Sequence, residues 1–174
     1  MRRTLLLTLL AFLVLPAGAA ATRAAPGDGT LSIRDGEGTV QILLRGAVIG
    51  RMGSGTLRID NPRNDDCASP LVWGAETATP EPLIVTGELG IRQTRCIYSG
   101  RDVRFRLVGG EQDISIVRGR AIAISAAGRG EAFLRGTGGL TDGVYSLGGR
   151  DYVSLPDLGR WINIGTFLPP GNAP

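Results

Sequence analysis

Residues 101–136, RDVRFRLVGGEQDISIVRGRAIAISAAGRGEAFLRG, are the stretch that decides the fold class of this chain. Apolar and charged residues alternate strictly over 103–107, which is the period of a strand with one dry face and one wet face. The glycine breaks at 109–110 and 128–130 interrupt this alternation, and it resumes after each of them. The pattern predicts four short strands joined by tight glycine turns, in an antiparallel meander. The apolar positions of these strands are expected to be buried: Phe105, Leu107, Ile116, Ile122, Ile124 and Phe133.

Composition agrees with an all-β fold. The chain has 27 glycines in 174 residues, which suits many turns between short strands, and only 5% aromatic residues, so its core must be aliphatic. A chain of this length is expected to form one domain with a single core. We therefore predict a two-layer antiparallel β-sandwich of short glycine-linked strands.

Turn signals and alternating segments extend this interpretation along the rest of the chain. They predict strands at 30–33, 56–59, 71–73, 83–86, 91–98, 143–147, 152–155 and 161–168, a hairpin turn at Asp35-Gly36, two bent strands within 39–52, and an irregular connector at 77–82.

Three short motifs recur along the chain. Residues 31–33 resemble 105–107, 44–46 resemble 117–119, and 53–55 resemble 128–130, at offsets of 73 to 75 residues. Either an internal two-fold repeat or chance alignment of glycine- and arginine-rich sequence explains the matches. A true repeat of this length predicts two similar half-sheets packed face to face.

The N-terminus has the organisation of a secretory signal peptide. Arg2-Arg3 precede an apolar run at 4–15 that is short for a membrane span, and small residues follow Pro16. A retained N-terminal membrane anchor is the alternative. We divide the chain into a signal peptide at 1–21, a flexible lead-in at 22–28, a single all-β domain at 29–168 and a tail at 169–174. The protein is expected to be secreted or held in the cell envelope, with no membrane span after cleavage.

The expected export of the protein indicates whether its two cysteines are oxidised or reduced. Because an oxidising compartment favours disulfides, Cys67 and Cys96 are expected to pair, and two buried free thiols are the alternative.

The absence of certain residue types excludes several chemistries. The chain has no histidine and no lysine, which removes histidine-based nucleophile activation, histidine-ligated zinc and Schiff-base chemistry. No catalytic residue, metal site or cofactor is predicted. Paired carboxylates of a glycoside hydrolase remain possible in principle, but no two acidic residues stand in a recognisable frame. Oxygen ligands at 60–66 suit calcium, yet a solvated turn is favoured because the spacing matches no EF-hand.

Charge is uneven along the chain. Cleavage after Ala21 leaves 17 arginines against 16 carboxylates, or +1, which gives no support for nucleic-acid binding. Residues 89–120 nevertheless hold seven arginines and three carboxylates, or +4. Alternation places Arg104 and Arg106 on one wet face, and we expect neighbouring strands to bring Arg95 and Arg118 beside them. Such guanidinium groups suit phosphate or carboxylate on an envelope polymer, and the alternative is a solvated face neutralised by cross-strand acids.

Residues 98–110, 126–130 and 143–147 resemble a group of uncharacterised secreted β-rich bacterial proteins. This resemblance implies export and a β fold, and it implies no activity, cofactor or catalytic residue. The favoured function is an exported non-enzymatic binding or structural module of the cell envelope or extracellular space. Its expected partner is an anionic envelope polymer or another envelope protein. The alternative is a carboxylate-dependent hydrolase acting on envelope polysaccharide.

Overall fold

A computed structural model describes residues 27–60, 67, 71–83, 93–139 and 141–166. The predicted signal peptide, the tail and residues 61–66 of the acidic loop lie outside the described residues. So does the stretch at 84–86, where a predicted strand was expected to end.

The described residues form nine strands and no helix, which confirms the predicted all-β class. The strands are β1 Gly29–Met52, β2 Ser54–Asp60, β3 Val72–Trp73, β4 Thr77–Leu83, β5 Gln93–Ser99, β6 Val103–Arg135, β7 Val144–Leu147, β8 Val153–Ser154 and β9 Arg160–Ile164.

All nine strands belong to one antiparallel sheet. Its order is β4-β5-β2-β6-β1-β7-β8, and β3 and β9 also pair with β6. The strands predicted at 143–147 and 152–155 correspond to β7 and β8, which pair with each other as a hairpin. No helix in the described part of the chain is long and apolar enough to cross a membrane.

Strands β1 and β6 build the centre of the sheet. They pair in a long ladder that runs from Gly29 opposite Gly128 to Met52 opposite Val103. Residues 39–51 of β1 also use their other edge, which pairs with residues 123–135 of β6. Two parts of β6 therefore flank the same part of β1, and the sheet must curl to allow it.

The curled sheet encloses a single aliphatic core. The buried apolar side chains form one cluster, which includes Ile42, Val48, Ile116 and Ile124. A sheet whose buried side chains all meet in one cluster must curve around it. Its halves then face each other across the core, as the layers of the predicted sandwich do.

Phe105 shows how closely this core is packed. Its side chain is 1% exposed, and its ring lies over Gly50, which is its partner on β1. A Cβ atom at Gly50 would lie 2.4 Å from Cζ of Phe105, so only glycine fits beneath the ring. Burial of a phenylalanine side chain contributes about 1.5–3 kcal/mol relative to exposure.

The meander predicted for 101–136 is wrong. This stretch forms the continuous strand β6, and its segments pair with β1, β2, β3 and β9. Gly109 and Gly110, at φ of 74° and 82°, lie where the β1–β6 register shifts, so they bend the strand without reversing it. The reason is that glycine permits either a turn or a bulge, and local sequence does not distinguish the two.

Strand β1 shows the same difference from the prediction, a bend within one strand where a turn between two strands was expected. Asp35-Gly36 was expected to close a hairpin, but both residues lie inside β1. Asp35 has a φ of 50°, and the register shifts between Ile33 and Gly36, which marks a bulge. The two bent strands expected within 39–52 are likewise one continuous strand.

Residues 77–82 form a strand, although an irregular connector was expected. They belong to β4 at the end of the sheet order, where β5 is its sole partner among the described strands. Pro80 and Pro82 cannot donate backbone hydrogen bonds, and an edge strand tolerates them because one side needs no partner. The prolines therefore mark an edge strand in this protein.

Most of the buried positions predicted in β6 are confirmed, with one exception. Phe105, Leu107, Ile116, Ile122 and Ile124 are buried. Phe133, also expected in the core, is half-buried. Its neighbours Ala132 and Leu134 point inward, so Phe133 faces outward and packs against Trp161, with ring centroids 5.4 Å apart. After the glycine break at 128–130, the strand therefore has the opposite orientation to the predicted one: Ala132 and Leu134 face the core, and Phe133 faces outward.

The motifs behind the predicted repeat lie mainly in β1 and β6. These strands are direct partners in one continuous sheet, so the two similar segments do not each build a half-sheet of their own. Whether the two segments arose by duplication remains a prediction.

Candidate anion-binding site

The structure places the four predicted arginines in three separate locations. Arg104 and Arg106 line one groove on the outer surface of the sheet. Arg95 lies on β5 in an ion pair, and Arg118 lines a different cavity. The fold therefore brings two of the four together.

Alternation within β6 determines which side chains reach the groove. Val103, Phe105 and Leu107 point into the core, so Arg104 and Arg106 point outward as predicted.

The neighbouring strands complete the same surface. On β1, Arg51 lies opposite Arg104, and Ile49 lies opposite Arg106. On the other side of Arg104 stands Trp73 of β3. Side chains from three distant parts of the chain thus meet across adjacent strands.

The resulting groove has a volume of about 900 Å³. Of the thirteen described residues that line it, four are arginines and none carries a carboxylate. Its floor combines apolar and small polar side chains, and Ile49 is 49% exposed there. We call this surface the arginine groove; its outward side chains come from Ser32, Arg34, Ile49, Arg51, Trp73, Arg104, Arg106, Ala123 and Ser125.

Only one arginine of the groove has a carboxylate partner within the described ranges. Nη2 of Arg104 lies 2.6 Å from Oδ2 of Asp102, and both side chains are well exposed. This hydrogen bond lowers the pKa of Asp102, and the charge of Arg51 lowers it further. The guanidinium groups of Arg51 and Arg106 form no ion pair with any residue that the structure describes.

Asp102 compensates only part of the positive charge of Arg51, Arg104 and Arg106. Arg51 and Arg104 are direct cross-strand neighbours, and like charges in that position destabilise a sheet. An anion between them would remove the repulsion and accept charge-assisted hydrogen bonds.

The far end of the arginine groove is formed by β1 and the residues around β8. The guanidinium carbon of Arg34 lies 4.2 Å from the ring centroid of Tyr152, in a cation–π contact. The hydroxyl groups of Tyr152 and Ser32 share a hydrogen bond of 2.9 Å. Both contacts hold this end of the groove in a defined geometry.

Arg95 has a different environment. It donates from Nε and Nη2 to the two carboxylate oxygens of Asp60, each at 2.5 Å. This bidentate hydrogen bonding raises the pKa of Arg95. Asp60 lies opposite both Arg95 and Asp113, and Glu81 lies opposite Arg95. Acidic neighbours therefore neutralise Arg95, as the alternative interpretation of the arginine face expected.

Asp113 lies in the same group of charged side chains as Asp60 and Arg95. Burial raises the pKa of its carboxyl group, and the adjacent charge of Asp60 raises it further. Asp60 and Asp113 are the cross-strand carboxylate pair nearest to a hydrolase arrangement in the described sheet. Arg95 already engages both oxygens of Asp60, which leaves that residue poorly suited to act as a nucleophile or base.

Arg118 lies where β6 is irregular. Its φ is 52°, and it lines a cavity of about 430 Å³ with Arg120, Arg135 and Glu37. No described residue lines both this cavity and the arginine groove, so Arg118 does not join Arg104.

The predicted disulfide between Cys67 and Cys96 is present. Tyr98 packs in the same region and donates a hydrogen bond from its hydroxyl to the carbonyl oxygen of Cys67, at 3.1 Å. In the described part of the chain, no cluster of acidic or cysteine side chains is arranged to hold a metal ion.

Sequence reasoning missed Arg34, Arg51 and Trp73 as members of the groove. Alternation around the buried residues Val48 and Met52 would have placed Arg51 on the outer face. Its proximity to Arg104 depends on the pairing of β1 with β6, for which no local signal exists.

Comparison with protein-family models, curated protein sequences and solved structures finds no match for this chain. The resemblance to uncharacterised secreted β-rich proteins therefore remains a prediction. The function has to be inferred from the residues of the chain and their arrangement.

Proposed function

We propose that this protein is an exported, non-enzymatic binding module of the cell envelope that holds an anionic polymer in the arginine groove. The observation that carries the proposal is the convergence of Arg34, Arg51, Arg104 and Arg106 on a groove whose described lining contains no carboxylate.

The charge distribution supports an anionic ligand. The only ion pair of these four arginines with a described carboxylate is the exposed contact of Arg104 with Asp102, and exposed ion pairs contribute little to stability. Arg51 and Arg106 are available to a ligand, and guanidinium groups bind carboxylate and phosphate in bidentate geometry. A polymer suits the groove better than a small ion, because residues 123–125 of β6 separate Arg34 from Arg51.

Two features support the proposed location. The first 21 residues have the pattern of a signal peptide, and the disulfide between Cys67 and Cys96 fits an oxidising compartment. The hydrolase alternative has less support, since Asp60 of the nearest carboxylate pair is bound by Arg95.

The test is binding of the mature protein to two anionic polymers, polygalacturonate and polyphosphate, by calorimetry at low and high salt. The Arg51→Ser/Arg106→Ser variant should bind at least tenfold more weakly than wild type, a loss of about 1.4 kcal/mol or more. Its binding should also depend less on salt, because fewer exposed charges contribute.

The matched control is Arg150→Ser/Arg160→Ser. It removes the same charge from two exposed positions outside the groove, and its affinity should stay close to wild type. An equal loss in both variants would show that only net charge matters. That result, or no binding to either polymer, would overturn the proposal.

A further inference from the structure

We infer that the anionic polymer is a saccharide, with a sugar ring stacked on Trp73 and acidic groups bound by Arg51 and Arg106. This inference rests on the proposed function and adds the chemical class of the ligand. Three observations lead to it: an exposed indole, a set of hydroxyl groups, and the length of the arginine groove.

Trp73 provides a flat apolar platform at one end of the groove. It belongs to the two-residue strand β3, and its side chain is 51% exposed. It stands directly opposite Arg104, so an acidic group held at Arg104 or Arg51 would bring its carrier over the indole. A large exposed aromatic ring beside convergent polar groups is typical of a ligand site.

Hydroxyl groups line the far end of the arginine groove, where Arg34 lies. Ser32 and Ser125 are cross-strand partners on its floor, and the hydroxyl of Tyr152 contacts Ser32. Such groups match the hydroxyls of a sugar, which both donate and accept hydrogen bonds. An acyl chain would offer these hydroxyl groups no hydrogen bond beyond the one between Ser32 and Tyr152, and that is unfavourable where water is excluded. The floor therefore favours a polyhydroxylated ligand over an acidic lipid.

The groove is longer than one sugar unit. From Trp73 it crosses β6, β1 and β6 again before it reaches Arg34 on β1. Four strand-to-strand steps of ~4.8 Å give a length of about 19 Å. The ends differ, with an open indole at Trp73 and a cation–π pair at Arg34. An oligosaccharide bound along this line would have a defined direction.

The experiment uses the mature protein and the two tryptophans of the chain. Trp161 packs against Phe133 and does not line the groove, so Trp161→Phe leaves Trp73 as the sole indole reporter. This variant is titrated with oligogalacturonate, a sugar-phosphate oligomer, polyglutamate of matched charge, and neutral maltooligosaccharide. At least one acidic saccharide should change the Trp73 emission saturably and bind at least tenfold more tightly than polyglutamate. The two acidic saccharides distinguish carboxylate from phosphate as the acidic group.

Calorimetry with Trp73→Ala provides the second measurement. This variant should lose at least tenfold in affinity for the acidic saccharide, while its weak binding to polyglutamate stays unchanged. Trp161→Ala, at the other exposed indole, is the control and should leave both affinities unchanged.

The outcomes separate the inference from the proposed function. Equal affinity for polyglutamate and acidic saccharide, or no loss on Trp73→Ala, would overturn the saccharide inference and leave anion binding standing. Binding of neutral saccharide as tightly as the acidic one would overturn the role of the arginines. Failure of every ligand to bind would overturn both.

Discussion

Two arginine environments on this sheet differ in what faces each guanidinium group. Arg95 lies between Asp60 and Glu81 on neighbouring strands and is held in a bidentate ion pair. Arg51 lies opposite another arginine, Arg104, and has no carboxylate partner within the described residues. Each of the two arginines is followed along its strand by a buried residue, Met52 after Arg51 and Cys96 after Arg95. The difference shows that the cross-strand neighbour decides whether an arginine stabilises the sheet or is available to a ligand.

The same comparison explains the charge imbalance of residues 89–120. That segment carries a net charge of +4, but five of its arginines are divided among the Arg95 ion pair, the arginine groove and the cavity at Arg118. Net charge along a segment therefore does not describe the electrostatics of the surface that it forms.

The largest expected effect concerns Phe105, whose buried side chain lies beneath the arginine groove. Phe105→Ala should destabilise the protein by about 3–5 kcal/mol, because it empties the space above Gly50 in a closely packed core. Arg104→Ala, one residue away on the outer face, should cost far less, because its side chain is well exposed. Urea unfolding of both variants measures the difference. A larger loss for the arginine variant would mean that the strand faces the other way.

The second effect tests whether the Arg95 ion pair is structural. Arg95→Ala should cost about 1–3 kcal/mol, since it leaves the carboxylate of Asp60 without its partner and beside Asp113. Asp60 is only 12% exposed, so water replaces the lost contacts incompletely. Arg150→Ala, at an exposed position without a carboxylate partner in the described structure, should change stability by less than ~0.5 kcal/mol. Equal losses in urea unfolding would remove the distinction between the two environments.

The third prediction concerns pH and Asp113. Burial and the charge of Asp60 raise the pKa of its carboxyl in the folded state, so the folded protein binds this proton more tightly than the unfolded chain. The contribution of Asp113 to stability should therefore fall as pH rises from the ordinary aspartate range through the raised pKa. Asp113→Asn removes this titrating carboxyl group. The stability of the variant relative to wild type should therefore increase as pH rises through this range.

The measurement is the urea midpoint of Asp113→Asn minus the midpoint of wild type, as a function of pH. Asp113→Glu, which keeps a carboxyl group at this position, serves as the comparison variant. A difference that decreases with rising pH would show that Arg95 outweighs burial and Asp60 at this site.

The smallest effect has the opposite sign. Arg51→Ser should stabilise the unliganded protein by about 0.2–1 kcal/mol, because it removes like-charge repulsion across the strands with Arg104. Arg51→Lys keeps the charge and should show no such gain. Thermal unfolding at low salt gives the best resolution, since salt screens the repulsion. Destabilisation by Arg51→Ser at low salt would mean that Arg51 has a structural partner like that of Arg95.

The sequence by itself determined the features that depend on local period and composition. Strict alternation at 103–107 predicted both the strand and its orientation, with Phe105 inside and Arg104 outside. Glycine content and scarce aromatics predicted an all-β fold with an aliphatic core, and two cysteines in a chain with a signal-peptide pattern predicted one disulfide. These predictions succeed because side-chain direction in a strand alternates with a period of two, whatever the strand pairs with.

Only the tertiary structure decided which strands are neighbours. Gly109-Gly110 bends one long strand and does not end it, and Phe133 points outward because the register after 128–130 differs from the expected one. The arginine groove depends on the same information, since Arg34, Arg51, Arg106 and Trp73 meet through pairing between residues that are distant in sequence. Strand pairing is set by long-range packing and by bulges, and a shift of one residue moves every side chain to the other face. For that reason the residues of the candidate site could be recognised together only once the sheet was known.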